Sequence, residues 1–230
     1  MERLPNGFTL EIPDGAFPLS TDSMALAHFV HLKRGSTVLD LGSGCGTLGL
    51  LLCATHPDCR VTGMELDPAA HAAALENISR NGIGARMESI CADLRRISEQ
   101  IAPGSFSCCV SNPPYFPGGP ASAATPNARR EDCCSLEELF TAAAWALKYG
   151  GDFYLVHRPE RLAQLCALAS RVGLDPMRLQ LLRHRAGGPV SLILMHCRKG
   201  GKPGLIWEEI SLRDSQGTPT EDYRSIYHIQ

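Results

Sequence analysis

The run Thr37-Val38-Leu39-Asp40-Leu41 passes directly into Gly42-Ser43-Gly44-Cys45-Gly46, after which Thr47-Leu48-Gly49-Leu50-Leu51-Leu52 opens a helix. A nearly continuous apolar strand suits a parallel sheet covered on both faces, where neither side meets water. The glycines let the chain turn tightly and let a ligand approach the backbone. This unit commits the chain to an α/β architecture, whose open sheets bind ligands beyond the carboxyl ends of their strands. The spacing is G-x-G-x-G, whereas a pyrophosphate on a helix N-terminus calls for G-x-G-x-x-G. A ligand with little or no phosphate is expected, and a nicotinamide dehydrogenase is disfavoured.

The following strand ends carry polar residues in order. Arg60-Val61-Thr62-Gly63-Met64 ends in Glu65-Leu66-Asp67-Pro68, where an acid stands at the distance that suits ribose hydroxyls. Pro68 suits the first position of a helix to Arg80, closed by Asn81-Gly82. A strand at 86–92 ends at Asp93, which either caps the next helix or accepts from an adenine amine. Phe106-Ser107-Cys108-Cys109-Val110-Ser111 then delivers Asn112-Pro113-Pro114-Tyr115-Phe116. Prolines cannot donate to a ladder, so they stop the strand and hold the chain extended. The Asn112 amide oxygen and an outward Pro113 carbonyl make two acceptors for one exocyclic amine, and Tyr115 can stack on the ring that carries it. Phe116 extends that platform or joins the core.

Around this centre, Phe8-Thr9-Leu10-Glu11-Ile12 alternates as a short strand, and Pro13-Asp14-Gly15 turns it. Ser20, Thr21 and Asp22 are cap candidates for a helix to about His31. Residues 117–130 are rich in turn formers and are expected to form a mobile loop beside the site. Ser135-Leu136-Glu137-Glu138 is a capping box for a helix reaching Lys148, with Gly150-Gly151 closing it. A strand at 152–157 and a helix at 159–172 follow, then runs at 177–184 and 190–197 joined by a short turn, which predicts an antiparallel final strand. Residues 205–212 are a possible edge strand. The chain is expected to be one domain: an N-terminal strand and helix extension at 1–36, a catalytic core at 37–200 and a tail at 201–230.

No apolar run is long enough to cross a membrane, and the first residues lack the pattern of a secretory signal, so a cytoplasmic protein is expected. The ten cysteines are dispersed without a C-x-x-C pair, which predicts no metal site; only the vicinal pairs Cys108-Cys109 and Cys133-Cys134 invite oxidation. Net charge is −2, which does not announce a nucleic-acid binder. The stretch 176–207, however, holds six basic residues, Arg183 and Arg185 among them, and no acid. It reads as a solvated surface or as a phosphate-contacting patch.

The order strand–glycine loop, strand–Glu65, strand–Asp93, strand–Asn112-Pro113-Pro114-Tyr115 resembles the class I S-adenosylmethionine-dependent methyltransferases of the N-P-P-Y type. More closely, the chain resembles the bacterial family that N6-methylates adenosine 37 of valine tRNA 1. That likeness is carried by Leu19-Ser20-Thr21-Asp22, Ala128-Arg129-Arg130-Glu131, Arg158-Pro159-Glu160-Arg161-Leu162, and Leu212-Arg213-Asp214-Ser215-Gln216-Gly217 with Tyr227. The resemblance implies a Rossmann-like α/β fold, a seven-stranded, mostly parallel sheet with one antiparallel strand and helices on both faces. It implies S-adenosylmethionine bound by Thr21, Asp22, Asp40, Gly42, Ser43, Gly44, Glu65, Leu66, Asp93 and Asn112. Asn112, Pro113, Pro114 and Tyr115 would be catalytic, and Tyr115, Phe116, Arg129, Arg130, Arg183 and Arg185 would meet a tRNA anticodon stem-loop. Two departures stand out: Ser107 where such enzymes commonly have Asp, and Thr218-Pro219-Thr220 in place of a Tyr-Thr run. Alternatives are methylation of a glutamine side chain in a protein, for which residues 1–36 are too short to supply the helical domain such enzymes carry, DNA adenine methylation, and a non-catalytic RNA-binding module.

Overall fold

A computed structural model of the protein describes residues 1–13, 18–114 and 134–229. Tyr115, Phe116, Arg129, Arg130, Cys133, the expected loop at 117–130 and the turn residues Asp14 and Gly15 lie outside these residues.

The chain opens with a two-stranded antiparallel pair, β1 (Glu2–Arg3) and β2 (Thr9–Leu10). The strand expected at 8–12 is cut short because side chains take over its ladder. Asn81 Oδ1 accepts from Thr9 N (2.8 Å) and Asn81 Nδ2 donates to Thr9 O (2.7 Å), while Asn77 does the same for Glu11 at 2.9 and 2.8 Å. Helix α1 (Thr21–Phe29) follows, capped by Ser20.

The main sheet then forms from β3 (Thr37–Leu41), β4 (Arg60–Glu65), β5 (Met87–Cys91), β6 (Phe106–Ser111), β7 (Leu147–His157), β8 (Leu174–Arg183), β9 (Val190–Lys199) and β10 (Ile206–Ser211). Their order is β10-β8-β9-β7-β6-β3-β4-β5, and β9 alone is antiparallel to its neighbours. The sheet therefore has eight strands among the described residues, where seven were expected. The extra strand is β10, which adds in parallel to β8 because its acids meet the arginines of that strand: Arg178 Nε donates to Glu208 (2.9 Å) and Arg183 Nη2 lies 3.3 Å from Glu209.

The intervening helices α2 (Thr47–Thr55), α3 (Pro68–Arg80), α4 (Leu136–Ala146) and α5 (Leu162–Arg171) cover the sheet, and α6 (Glu221–Tyr227) ends the described chain. Strand side chains alternate between two cores. Val38, Cys108, Val110, Tyr154 and Val156 pack with α1 and α2, whereas Leu39, Leu41, Cys109, Phe153 and Leu155 pack with α4 and α5. In the second core Phe140 and Phe153 meet edge to face at 5.3 Å, and truncating either to alanine should cost about 3–5 kcal/mol. The capping box at Ser135 and Glu138 forms as expected. The helix stops at Ala146, not at Lys148, and β7 starts at once, with Gly150 at φ +74° carrying a bulge against β6.

Candidate active site

The carboxyl ends of β5, β4, β3 and β6 lie side by side, so the polar residues that follow these strands share one edge. Alternation along β3 places Asp40 on the face of Val38, toward α1 and α2. Asp40 is 1 % exposed, and its Oδ2 has no hydrogen-bond partner among the described residues. Burial, followed by the nearby charge of Glu65, pushes its carboxyl up to about 7. A buried acid held in this way is a receptor for a cation.

Beyond Asp40 the chain turns through Gly42 (φ +75°) and Gly44 (φ +55°), conformations that L side chains rarely adopt. A Cβ at either would have no atom of the described residues within 4 Å beyond its own chain neighbours, so this stretch is bare backbone that a ligand can lie against. The loop is pinned to the next strand: Gly42 N and Ser43 N donate to Met64 O at 2.9 and 3.1 Å, and Gly44 N donates to Glu65 Oε2 at 2.7 Å. Glu65 Oε1 also accepts from Asp67 N at 2.8 Å. Ser43 is buried against Gly63, where a Cβ would come within 2.7 Å of its Oγ; that hydroxyl has no partner among the described residues. Leu66 is 43 % exposed at the same edge, an apolar surface on which a flat ring can rest.

Asp93 behaves first as a cap. Its carboxylate accepts from Arg95 N and is gripped by the Arg95 guanidinium at 2.6 to 2.9 Å, and the Arg95 hydrogen bond holds it below the usual carboxylate range.

At the end of β6, Ser111 Oγ donates to Leu41 O (2.8 Å), tying this strand end to that of β3. Asn112 Nδ2 donates to Ser23 Oγ at 3.0 Å. This contact orients the amide, since the nitrogen faces α1 and Oδ1 is the acceptor end. Leu41, Leu94, Ser111, Pro113, Pro114 and Leu136 line a small cavity between these strand ends. A larger cavity, about 250 Å³, lies elsewhere, between the carboxyl-terminal halves of α1 and α2, with His28, His31, His56 and His228 in its lining.

The structure thus gathers Asp40, Gly42, Ser43, Gly44, Glu65, Leu66, Asn112, Pro113 and Pro114 along one edge. Thr21 lies at the start of α1, where its hydroxyl shares a 2.6 Å hydrogen bond with Tyr227, and Asp22 follows it on the same turn. Arg183 and Arg185 are used internally: Arg183 meets Glu209 and the Gly188 carbonyl, and Arg185 donates to the Ser215 carbonyl. The acid-free stretch is acid-free only along the chain, because β10 lays Glu208 and Glu209 beside it. Sequence reading missed Ser23, whose role depends on a contact across 89 positions. Cys108 and Cys109 are buried, and burial pushes both thiols up, which suppresses the reactive thiolate. Among the described residues no group of three or more His, Cys, Asp or Glu could hold a metal ion, and no helix is long and apolar enough to cross a membrane.

This sheet order, with a glycine loop after β3, an acid after β4 and an Asn-Pro-Pro turn after β6, defines a Rossmann-like methyltransferase. The methyltransferase small domain model matches residues 19–167. A relative in Bacteroides fragilis, the tRNA1(Val) (adenine(37)-N6)-methyltransferase, is 32 % identical over 185 residues, covering 79 % of this chain and 77 % of its own. Among solved structures, an Agrobacterium tumefaciens protein described as a predicted O-methyltransferase superposes with a TM-score of 0.76 at 21 % identity, covering 90 % of this chain and 95 % of its own. Geranyl diphosphate C-methyltransferase from Streptomyces coelicolor, solved with S-adenosyl-L-homocysteine, gives 0.55 at 14 % identity, covering 76 % and 77 %. The chain belongs to the methyltransferase small domain family and, within it, to the tRNA1(Val) (adenine(37)-N6)-methyltransferases.

Proposed function

We propose that this protein transfers a methyl group from S-adenosylmethionine to the N6 amine of an adenine in tRNA, namely adenosine 37 in the anticodon stem-loop of tRNA1(Val). The observation that carries this reading is the Asn112–Ser23 hydrogen bond, which presents an oriented amide acceptor beside Pro113 on the edge that holds Asp40 and the glycine loop.

The residues present fit the cofactor: a buried acid whose second oxygen has no partner among the described residues for its cationic amino-acid end, bare glycine backbone alongside, and Glu65 for its ribose hydroxyls. Asp93 reaches its adenine only by exchanging the Arg95 pairing. When bound, the cofactor supplies a sulfonium methyl that is already activated for transfer.

The chain's own task is positioning. An adenine N6 lone pair is delocalised into the ring and attacks poorly. Acceptors on both amine hydrogens favour the pyramidal form with the lone pair localised on nitrogen, and Asn112 Oδ1 with the Pro113 carbonyl supply them. No strong general base is required, since the proton leaves after transfer, when the amine is cationic. A base in a folded stem-loop must leave its stack, and Tyr115, followed by Phe116, is assigned to receive it. Arg185, exposed beside the β8–β9 turn, is assigned a phosphate contact, with Arg129 and Arg130 beyond the described residues.

The test is incubation of the purified protein with labelled cofactor and tRNA from cells lacking it, followed by nucleoside mass spectrometry. N6-methyladenosine in the anticodon fragment is the expected product. Label on a nucleoside other than adenosine, or no label at all, would overturn the assignment.

A further inference from the structure

We infer that Tyr227 is a positioning residue for Asn112, acting through the first turn of α1, a role that rests on the methyl-transfer reading of the site.

That turn is fastened to two distant parts of the chain. The Thr21 hydroxyl and the Tyr227 phenol are 2.6 Å apart, and two residues on, Ser23 Oγ receives the Asn112 amide at 3.0 Å. The turn is stiff, because Met24 N donates to Ser20 O (3.2 Å) and the Ser20 hydroxyl accepts from Ser23 N (3.4 Å). Ser23 is only 5 % exposed, so its hydroxyl has little room to follow the amide by itself. Displacement of Thr21 therefore carries Ser23 with it, and Ser23 sets which end of the Asn112 amide faces the amine.

The far end of the latch is equally well held. Thr220 caps α6 by accepting from Tyr223 N (3.2 Å), and its hydroxyl donates to Ser211 O (2.5 Å) at the end of β10. Ile226 is 1 % exposed, and Tyr223 and Tyr227 pack ring on ring at 4.5 Å against the same core as α1. The tail thus braces the turn of α1 that holds the Asn112 amide. The hydroxyl and the ring of Tyr227 contribute separately: the ring packs, and the hydroxyl sets the position of Thr21.

The test is Tyr227→Phe, which keeps the ring and removes the hydroxyl. Three quantities are read: single-turnover methyl transfer to tRNA, affinity for S-adenosylhomocysteine by calorimetry, and the Asn112 side-chain amide NMR signals, assigned by their loss in Asn112→Ala. The expected result is a rate about tenfold lower, affinity within about twofold, and shifted or broadened Asn112 signals. Ser23→Ala should slow transfer by a similar factor, and the double variant should be slower than Ser23→Ala by no more than about twofold, since both act through one contact. Additive losses, an unchanged rate with unmoved signals, or a rate that falls only with melting temperature while the signals stay in place would each overturn the inference. If the wild-type protein methylates no tRNA, the proposed function fails by itself, and the Asn112 signals in Tyr227→Phe still decide the latch.

Discussion

Asp40 and Asp152 both sit on central strands of one sheet, and they are treated in opposite ways. Asp40, on β3, is buried with one oxygen lacking a partner among the described residues, and burial raises its carboxyl to about 7. Asp152, on β7, is also withdrawn from water, yet its Oδ1 takes His196 Nε2 at 2.7 Å and Arg198 Nε at 2.8 Å. Burial pushes Asp152 up, but those hydrogen bonds outweigh it and hold it below the usual carboxylate range. Around β7 and β9 the sheet thus pairs this acid internally, which serves stability. At β3, by contrast, one oxygen of the acid has no partner among the described residues, an arrangement that suits a ligand at this edge.

The contrast can be broken most severely at Asn112. Asn112→Ala should slow methyl transfer about a thousandfold or more, with a far smaller change in cofactor affinity, because the acceptor it removes is the one that grips the amine. Wild-type rates in that variant would remove Asn112 from the chemistry.

Next comes Asp40→Asn, which should weaken cofactor binding roughly fiftyfold, read by calorimetry. The pH dependence supplies the sign. A carboxyl raised from 3.8 to about 7 is protonated below neutrality, so wild-type affinity should fall as pH drops through about 7, and the Asn variant should be flat. Without cofactor the same shift contributes stability that is present below the unfolded value and lost as pH rises toward 7. The Asn variant should therefore be the more stable protein at pH 8, with the gap closing toward pH 4.

Asp152→Asn should do the reverse. It should leave cofactor affinity intact and lower stability by about 2 kcal/mol, by leaving Arg198 and His196 poorly matched. Since this carboxyl is depressed, its contribution is present above about pH 4 and is lost as pH falls through the folded value, so the melting-temperature gap should narrow in acid.

The smallest effect belongs to Arg185→Glu, which should lower the slope of log binding constant against log salt for tRNA by about one. An unchanged slope would leave Arg185 with the Ser215 carbonyl as its whole role.

Local signals carried far. The Ser135 capping box, Pro68 at the start of α3 and the extent of β6 all stand where the residues placed them, because each depends on neighbours within a turn or two. The strand ends were legible because a covered parallel strand needs an almost unbroken apolar run, and a polar residue that interrupts its end stands out. What was not legible involved pairings between distant segments. Asn77 and Asn81 replace a strand partner for Thr9 and Glu11, and β10 supplies acids to arginines that seemed unopposed.

By itself the sequence determined the α/β class, the glycine turn after β3 and the chemical identity of the groups at the strand ends, since backbone conformation and hydrophobic periodicity are set within short windows. Only the tertiary structure decided how those groups are held. It left the second oxygen of Asp40 without a partner among the described residues, engaged Arg183 with Glu209, and turned the Asn112 amide toward Ser23. The physical reason is that a polar side chain takes its protonation and orientation from whatever atom lies within about 3 Å, and distance in space is settled by packing, not by position along the chain.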